Sequence, residues 1–180
     1  MKKIIYLCAA TALSLFAVAC SNDDIPEVSP DGMTTFSVHM PASVDSRAFS
    51  DGKTASQLFV AVYSTGETPE LLFSNFGEGK NSSSLKISQF SYAGEKPTAT
   101  VSVPLVKNAT YDVVFWAQSY ANDNEDSPYS FDDASRSITV KYDKMSINSD
   151  ASDAFYGKTT VKSSGASHDV TLKRPFGQLN

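Results

Sequence analysis

The chain has 180 residues, 41% hydrophobic and 19% charged, with a formal net charge of −5. This composition suits one globular domain, with a core drawn from eleven Phe, eight Tyr and one Trp. The acidic balance argues against a nucleic-acid partner, which needs a basic face, and against docking on an anionic membrane by charge.

The first element is a leader. Lys2 and Lys3 form a basic start, Ile4 to Val18 is a short apolar run, and Ala17-Val18-Ala19 supplies small residues before a cut. The run is shorter than the ~20 residues of a stable membrane helix. An ordinary secretory signal cut after Ala19 is one reading. The sharper one is a bacterial lipoprotein signal of residues 1–19, cut between Ala19 and Cys20, with Cys20 carrying lipid. The only other cysteine, Cys8, lies inside the leader. The body therefore has no thiol nucleophile, disulfide or Cys-based metal site. Lipid chains on Cys20 hold a protein by burying methylenes, at ~0.8 kcal/mol each. Removing the leader takes away Lys2 and Lys3 and leaves 13 basic against 20 acidic side chains, a net charge of −7.

Residues 20–32 follow, polar, acidic and broken by Pro26 and Pro30, and read as a flexible tether. From Met33 to Asn180 the pattern is that of strands. TTFSVHM puts Phe36, Val38 and Met40 on one face and Thr35, Ser37 and His39 on the other. LFVAVY, Leu58 to Tyr63, is apolar on both faces and reads as a central strand. SLKISQF alternates Leu85 and Ile87 with Lys86 and Ser88. TATVSVPLV groups Ala99, Val101, Val103 and Leu105, and Pro104, lacking an N–H, places that strand at an edge or breaks it. TYDVVFWAQ is the strongest pattern, and SITVKY and HDVTLKR complete the set. The intervening segments are rich in Gly, Asn, Asp and Ser. A short helical turn is expected around SFDDASRS. About seven strands with such turns predict an all-β sandwich with Greek-key connections.

Catalysis needs convergent polar groups of matched pKa, and the inventory is thin. His39 lies on the polar face of the first strand and His168 in a Gly/Ser-rich turn; both read as exposed. GxSxG, HExxH and P-loop patterns are absent. Asn122 to Asp126, NDNED, gathers oxygen ligands that could hold Ca²⁺, but its spacing fits no EF-hand loop and a solvated acidic loop is the plainer reading. Asp132 and Asp133 are adjacent, so they point apart on a strand. No cofactor, metal or enzymatic activity is expected. Trp116, Tyr120 and Tyr129 could form a platform for stacking a sugar, although a lone Trp in a strong strand more often belongs to a core. Arg47-Ala48 lies in a Ser/Asp/Gly-rich stretch after the first strand, the kind of segment in which proteases nick chains.

Together AVAC, SNDD, SRAF, TYDVVFWAQ, DAFYGKTTV and VTLKRPFGQLN resemble the fimbrillin-like (Mfa-like) lipoproteins of Gram-negative bacteria. More narrowly, they are similar to a domain-of-unknown-function subfamily at the N-terminal half of such proteins. The resemblance implies a transthyretin-like β-sandwich, a second similar domain C-terminal to it, and a lipid anchor on the outer face of the outer membrane. Because this chain stops at Asn180, the second domain is expected to be absent or truncated. The resemblance also implies a maturation step. A trypsin-like protease cuts after an arginine beyond the first strand, here Arg47, and the groove left by that strand accepts a strand from another subunit. Phe36, Val38 and Met40 would be the displaceable plug. Residues 33–40 pairing at a sheet edge, next to an exposed loop at Arg47, is the arrangement to look for.

Three functional classes follow. The leading expectation is a surface-anchored structural or adhesive subunit, with other fimbrillin-like subunits as partners. The alternative is a lipoprotein that binds a host or surface glycan through Trp116, Tyr120 and Tyr129. An enzyme is the third class, and no residue set supports it.

Overall fold

The computed structural model describes residues 33–41, 53–76, 84–93, 96–121, 124–132, 135–146 and 149–175. Cys20, Ala19, Arg47 and Ala48, the leader 1–19 and the tether 20–32 lie outside the described residues.

Alternation of apolar and polar residues extends the chain into strands that each offer one face to a core. Strand β1 (Thr34–His39) buries Thr34, Phe36 and Val38 and leaves Thr35, Ser37 and His39 half-buried. It pairs antiparallel with β5 (Thr98–Val103) and parallel with β10 (Ser167–Thr171). With the two-residue β4 (Lys86–Ile87) these make one sheet, in the order β10-β1-β5-β4. The second sheet has the order β3-β2-β6-β9, built from β2 (Gln57–Ser64), β3 (Leu71–Ser74), β6 (Thr110–Gln118) and β9 (Ala154–Lys162).

The two sheets face each other across the main core. Phe36 and Val38 of β1, Leu58, Val60 and Val62 of β2, Val101 and Val103 of β5, and Val113 and Phe115 of β6 are all buried there. Strands β2 and β6 are apolar on their outer face too, because a third layer covers it. The hairpin of β7 (Tyr129–Asp132) and β8 (Ser137–Val140) lies over Phe59, Ala61, Tyr63, Val114 and Trp116. A strand buried on both faces reads as a continuous apolar run, as LFVAVY and DVVFWA do.

The chain passes from sheet to sheet at β1–β2, β3–β4, β5–β6 and β9–β10. The last passage closes one side of the sandwich. Leu172 N–H donates to the His39 carbonyl at 2.8 Å, and the next residue, Lys173, exchanges two 2.8 Å backbone bonds with Tyr156 of β9. The chain therefore leaves one sheet and joins the other within two residues. Arg174 fixes the crossing with a fork to Asp153, 3.1 and 2.8 Å, and its guanidinium sits 5.2 Å from the Phe155 ring centre.

The all-β sandwich matches the fold read from the sequence, with corrections. The described residues form ten strands rather than about seven; β3, β7 and β9 are additional. β7 is masked by its Ser, Asp and Pro neighbours, and β9 by Gly157 and the lysines on its solvent face. Among the described residues the helical turn expected around Ser130–Ser137 is not formed: Ser130 to Asp132 are strand, and Ser137 opens β8. The short 3-10 helices are at Tyr142–Lys144 and Asp150–Ser152. β5 ends at Val103, so Pro104 breaks the strand instead of marking an edge. SLKISQF shrinks to the two paired residues of β4.

Gly157 is required by this packing. A Cβ there would lie 2.8 Å from Leu172 Cδ2 and 3.2 Å from Val170 Cγ1, both buried beneath it. Gly157→Val is expected to lower stability by about 1–3 kcal/mol, read as a shifted urea midpoint, and Leu172→Ala in the same background should recover part of the loss.

Candidate functional site

The residues expected to form a removable plug converge on one slot. β1 is not itself an edge strand; it is inserted between β5 and the edge strand β10, with six register pairs to the first and five to the second. The slot has a distinct environment at each inward position. Thr34 and Ser163 are both fully buried and join hydroxyls at 3.1 Å. The Phe36 ring meets Phe115 edge-on and stacks on His168, each at 5.5 Å between centres. Val38 is in register with Ala99 on one side and Val170 on the other. Met40, also buried, donates its N–H to the Pro97 carbonyl at 2.9 Å. On the outward face His39 bridges both neighbours, with Nδ1 2.9 Å from Thr98 Oγ1 and Nε2 3.1 Å from Asp169 Oδ1.

His168 corrects an expectation. It is not in a turn but in β10, in register with Phe36, and its half-buried ring forms a wall of the slot. Its Nε2 is buried with no hydrogen-bond partner among the described residues.

The aromatic platform is a core instead. Trp116 and Tyr129 are buried and pack edge to face at 5.2 Å under the hairpin. Trp116 Nε1 donates to Gln118 Oε1 at 2.8 Å, and Gln118 Nε2 donates to the Tyr120 carbonyl at 2.9 Å. Tyr129 Oη donates to the Ser152 carbonyl. Burial, with the charge of Asp153 nearby, pushes the Tyr129 hydroxyl up to about 12. Trp116 and Tyr129 thus turn no ring face to solvent, and Tyr120 is only half-buried beside them. The cavity among Phe59, Phe76, Trp116, Tyr129 and Phe131 measures about 10 Å³, room for about one water and not for a sugar ring. An apolar pattern on both faces of β6 is what a covered strand needs, which is why Trp116 reads equally well as core.

The other expected polar residues stay apart. Asp132 accepts from the Ser135 hydroxyl at 2.7 Å in the hairpin turn; Asp133 lies outside the described residues. Of NDNED, Asn122 and Asp123 lie outside them too; Asn124 caps its own turn through Asp126 N–H at 2.9 Å, and Asp126 meets Lys144 at 3.6 Å. Among the described residues no group of three or more His, Cys, Asp or Glu could hold a metal, and no helix is long and apolar enough to cross a membrane.

Sequence reading missed the charged pin that holds the hairpin. Asp112 accepts from Thr160 Oγ1 at 2.6 Å and pairs with Lys158 Nζ at 3.0 Å; Arg136, in the hairpin turn, lies 4.0 Å from the same carboxylate and 4.0 Å over the Tyr63 ring. No sequence signal links these positions, since the pairs form across strands. The Thr160 hydrogen bond, joined by Lys158 and Arg136, holds the Asp112 carboxyl below its ordinary 3.8, against burial, which acts the other way. Its stabilisation is therefore complete above pH 3.8 and is lost as pH falls through the lower folded value. Asp112→Asn should cost about 1–3 kcal/mol at neutral pH, and denaturant unfolding at pH 7 and pH 3 should show a smaller acid loss in the variant than in the parent.

No curated protein and no solved structure matches the chain. A family model described as a family of unknown function (DUF6562) matches residues 28–180. That span takes in every described strand from β1 to β10, and with it the slot, the hairpin and the closing turn at Arg174. The chain belongs to this family of unknown function, DUF6562.

Proposed function

We propose that the protein is a non-enzymatic surface lipoprotein, anchored in the outer membrane through Cys20, and a fimbrillin-like structural subunit that assembles by strand addition. The observation that carries this reading is the position of β1. It is the first described element, so withdrawing it drags no other described element through the fold. It sits between two strands, so its departure opens a slot with backbone donors and acceptors on both sides and apolar pockets on its floor. Such a slot is unstable empty. Unpaired backbone and uncovered apolar surface together favour an added strand, whose alternate side chains fill the pockets. Burying Phe36, Val38 and Met40 is worth roughly 1.5–3 kcal/mol each, which a replacement strand recovers.

For a protease that cuts only after arginine, the arginines support a single processing point. The chain has three, Arg47, Arg136 and Arg174. Arg136 is held over Tyr63, and Arg174 is forked to Asp153 and followed by Pro175. A trypsin-like protease must extract either side chain from these contacts before it can bind. The Arg47–Ala48 bond lies eight residues past the end of β1, and cutting it would release the anchor together with the strand.

N-terminal sequencing of protein recovered from the cell surface tests the proposal. Assembled molecules should begin at Ala48, while the lipid-labelled fraction should begin at Cys20. Finding Cys20 as the first residue of every assembled molecule would contradict maturation at Arg47, and a Cys20→Ser chain that still fractionates with the outer membrane would contradict the anchor.

A further inference from the structure

The slot around β1 is chemically uneven, and this bears on what can replace the strand. We infer that it selects its occupant, through Ser163 and His168, for an extended segment with a hydroxyl residue at the first inward position, an aromatic ring at the second and a branched aliphatic side chain at the third. The inference rests on the strand-addition reading and adds to it the kind of strand accepted.

Three observations carry it. First, Ser163 Oγ is fully buried and bonded to the equally buried Thr34 hydroxyl at 3.1 Å. An apolar side chain in place of Thr34 leaves Ser163 unpaired in a dry site, where an unsatisfied polar group is penalised far more than a made bond is rewarded. A site built to bond a hydroxyl therefore rejects strands lacking one. Second, the next pocket is walled by rings. Phe36 meets Phe115 edge-on at 61° and stacks on His168 at 30°, so an aliphatic side chain forfeits both ring contacts. Third, Val38 is fully buried between Ala99 and Val170, both buried too, so a ring in its place would overpack the site. A one-residue slip would send all three side chains to the outer face, so register and selection enforce each other.

Strand β1 fits this slot with one defect. His168 Nε2 is buried against Phe36 without a partner among the described residues. An unsatisfied polar atom weakens the hold on the present occupant.

The test uses the full chain with a site-specific protease sequence inserted at Arg47, cut so that β1 stays bound without a covalent link. A fluorescent peptide of residues 33–41 is exchanged in under mild denaturant, and its anisotropy is followed to a plateau. The wild-type peptide should enter. Peptides carrying Thr34→Val or Phe36→Leu should bind about tenfold more weakly. In the cut Ser163→Ala chain the Thr34→Val penalty should shrink to within about twofold, because neither partner is then left unpaired. This double-substitution comparison separates reading of the hydroxyl from a general loss of β-propensity. Equal binding of all peptides overturns the selection and leaves strand addition standing. So does an unchanged Thr34→Val penalty in Ser163→Ala. Failure of every peptide to enter overturns both.

Discussion

The fold depends on the insertion of β1 between β5 and β10. β10 has no other ladder partner among the described strands, so its place in the sheet is held through β1. The parallel pairing is also what lets the chain turn at Leu172, leave β1 and bridge to β9 at Tyr156. One six-residue strand thus fills the floor of one sheet, seats the last strand and sets up the closing turn between sheets. Its inward side chains meet residues of both sheets: Phe36 touches Phe115 of β6 and His168 of β10, and Thr34 reaches Ser163 after β9.

Around this seam the second sheet is built to stay put. β6 is the longest central strand, with eight register pairs to β2 and nine to β9. Both its faces are covered, one by β1 and β5, the other by the hairpin. The hairpin is pinned at its turn by Arg136 and at its base by the Gln118, Ser127 and Tyr129 contacts. The edges of the two sheets are short or charged: β4 has two residues and carries Lys86, β3 has four, β10 has five and carries Asp169, and β9 sets Lys158 and Lys162 toward solvent. Short or lysine-bearing edges resist unplanned pairing.

The sandwich and its main core were legible because alternation is a local signal. The inward sets of β1 and β5 follow from period two, and β2 reads as apolar on both faces, as a strand covered on both sides should. What escaped was decided across strands. β9 hides its inward face behind Gly157, whose missing side chain is the point of the packing. β7 is too short to outweigh its turn-forming neighbours. His168 looked like a turn residue because Gly165 and Ser167 precede it, yet parallel pairing with β1 brings its ring onto Phe36. Trp116 could be core or platform by sequence, and only the hairpin, whose β7 half was missed, decides. Ser163, Asp112 and the Asp153–Arg174 fork leave no local trace, since each acquires its role from a partner tens of residues away.

The central claim is that β1 is a separable strand whose loss leaves β10 without its ladder partner and the second sheet intact. Native-state hydrogen exchange on the full chain tests it most directly. Opening of β1 by sub-global unfolding predicts that amides of residues 34–39 and 167–171 exchange together, with the same low dependence on denaturant, while those of β2 and β6 exchange only with global unfolding. Exchange of β1 amides solely through global unfolding, in step with β6, would contradict the account.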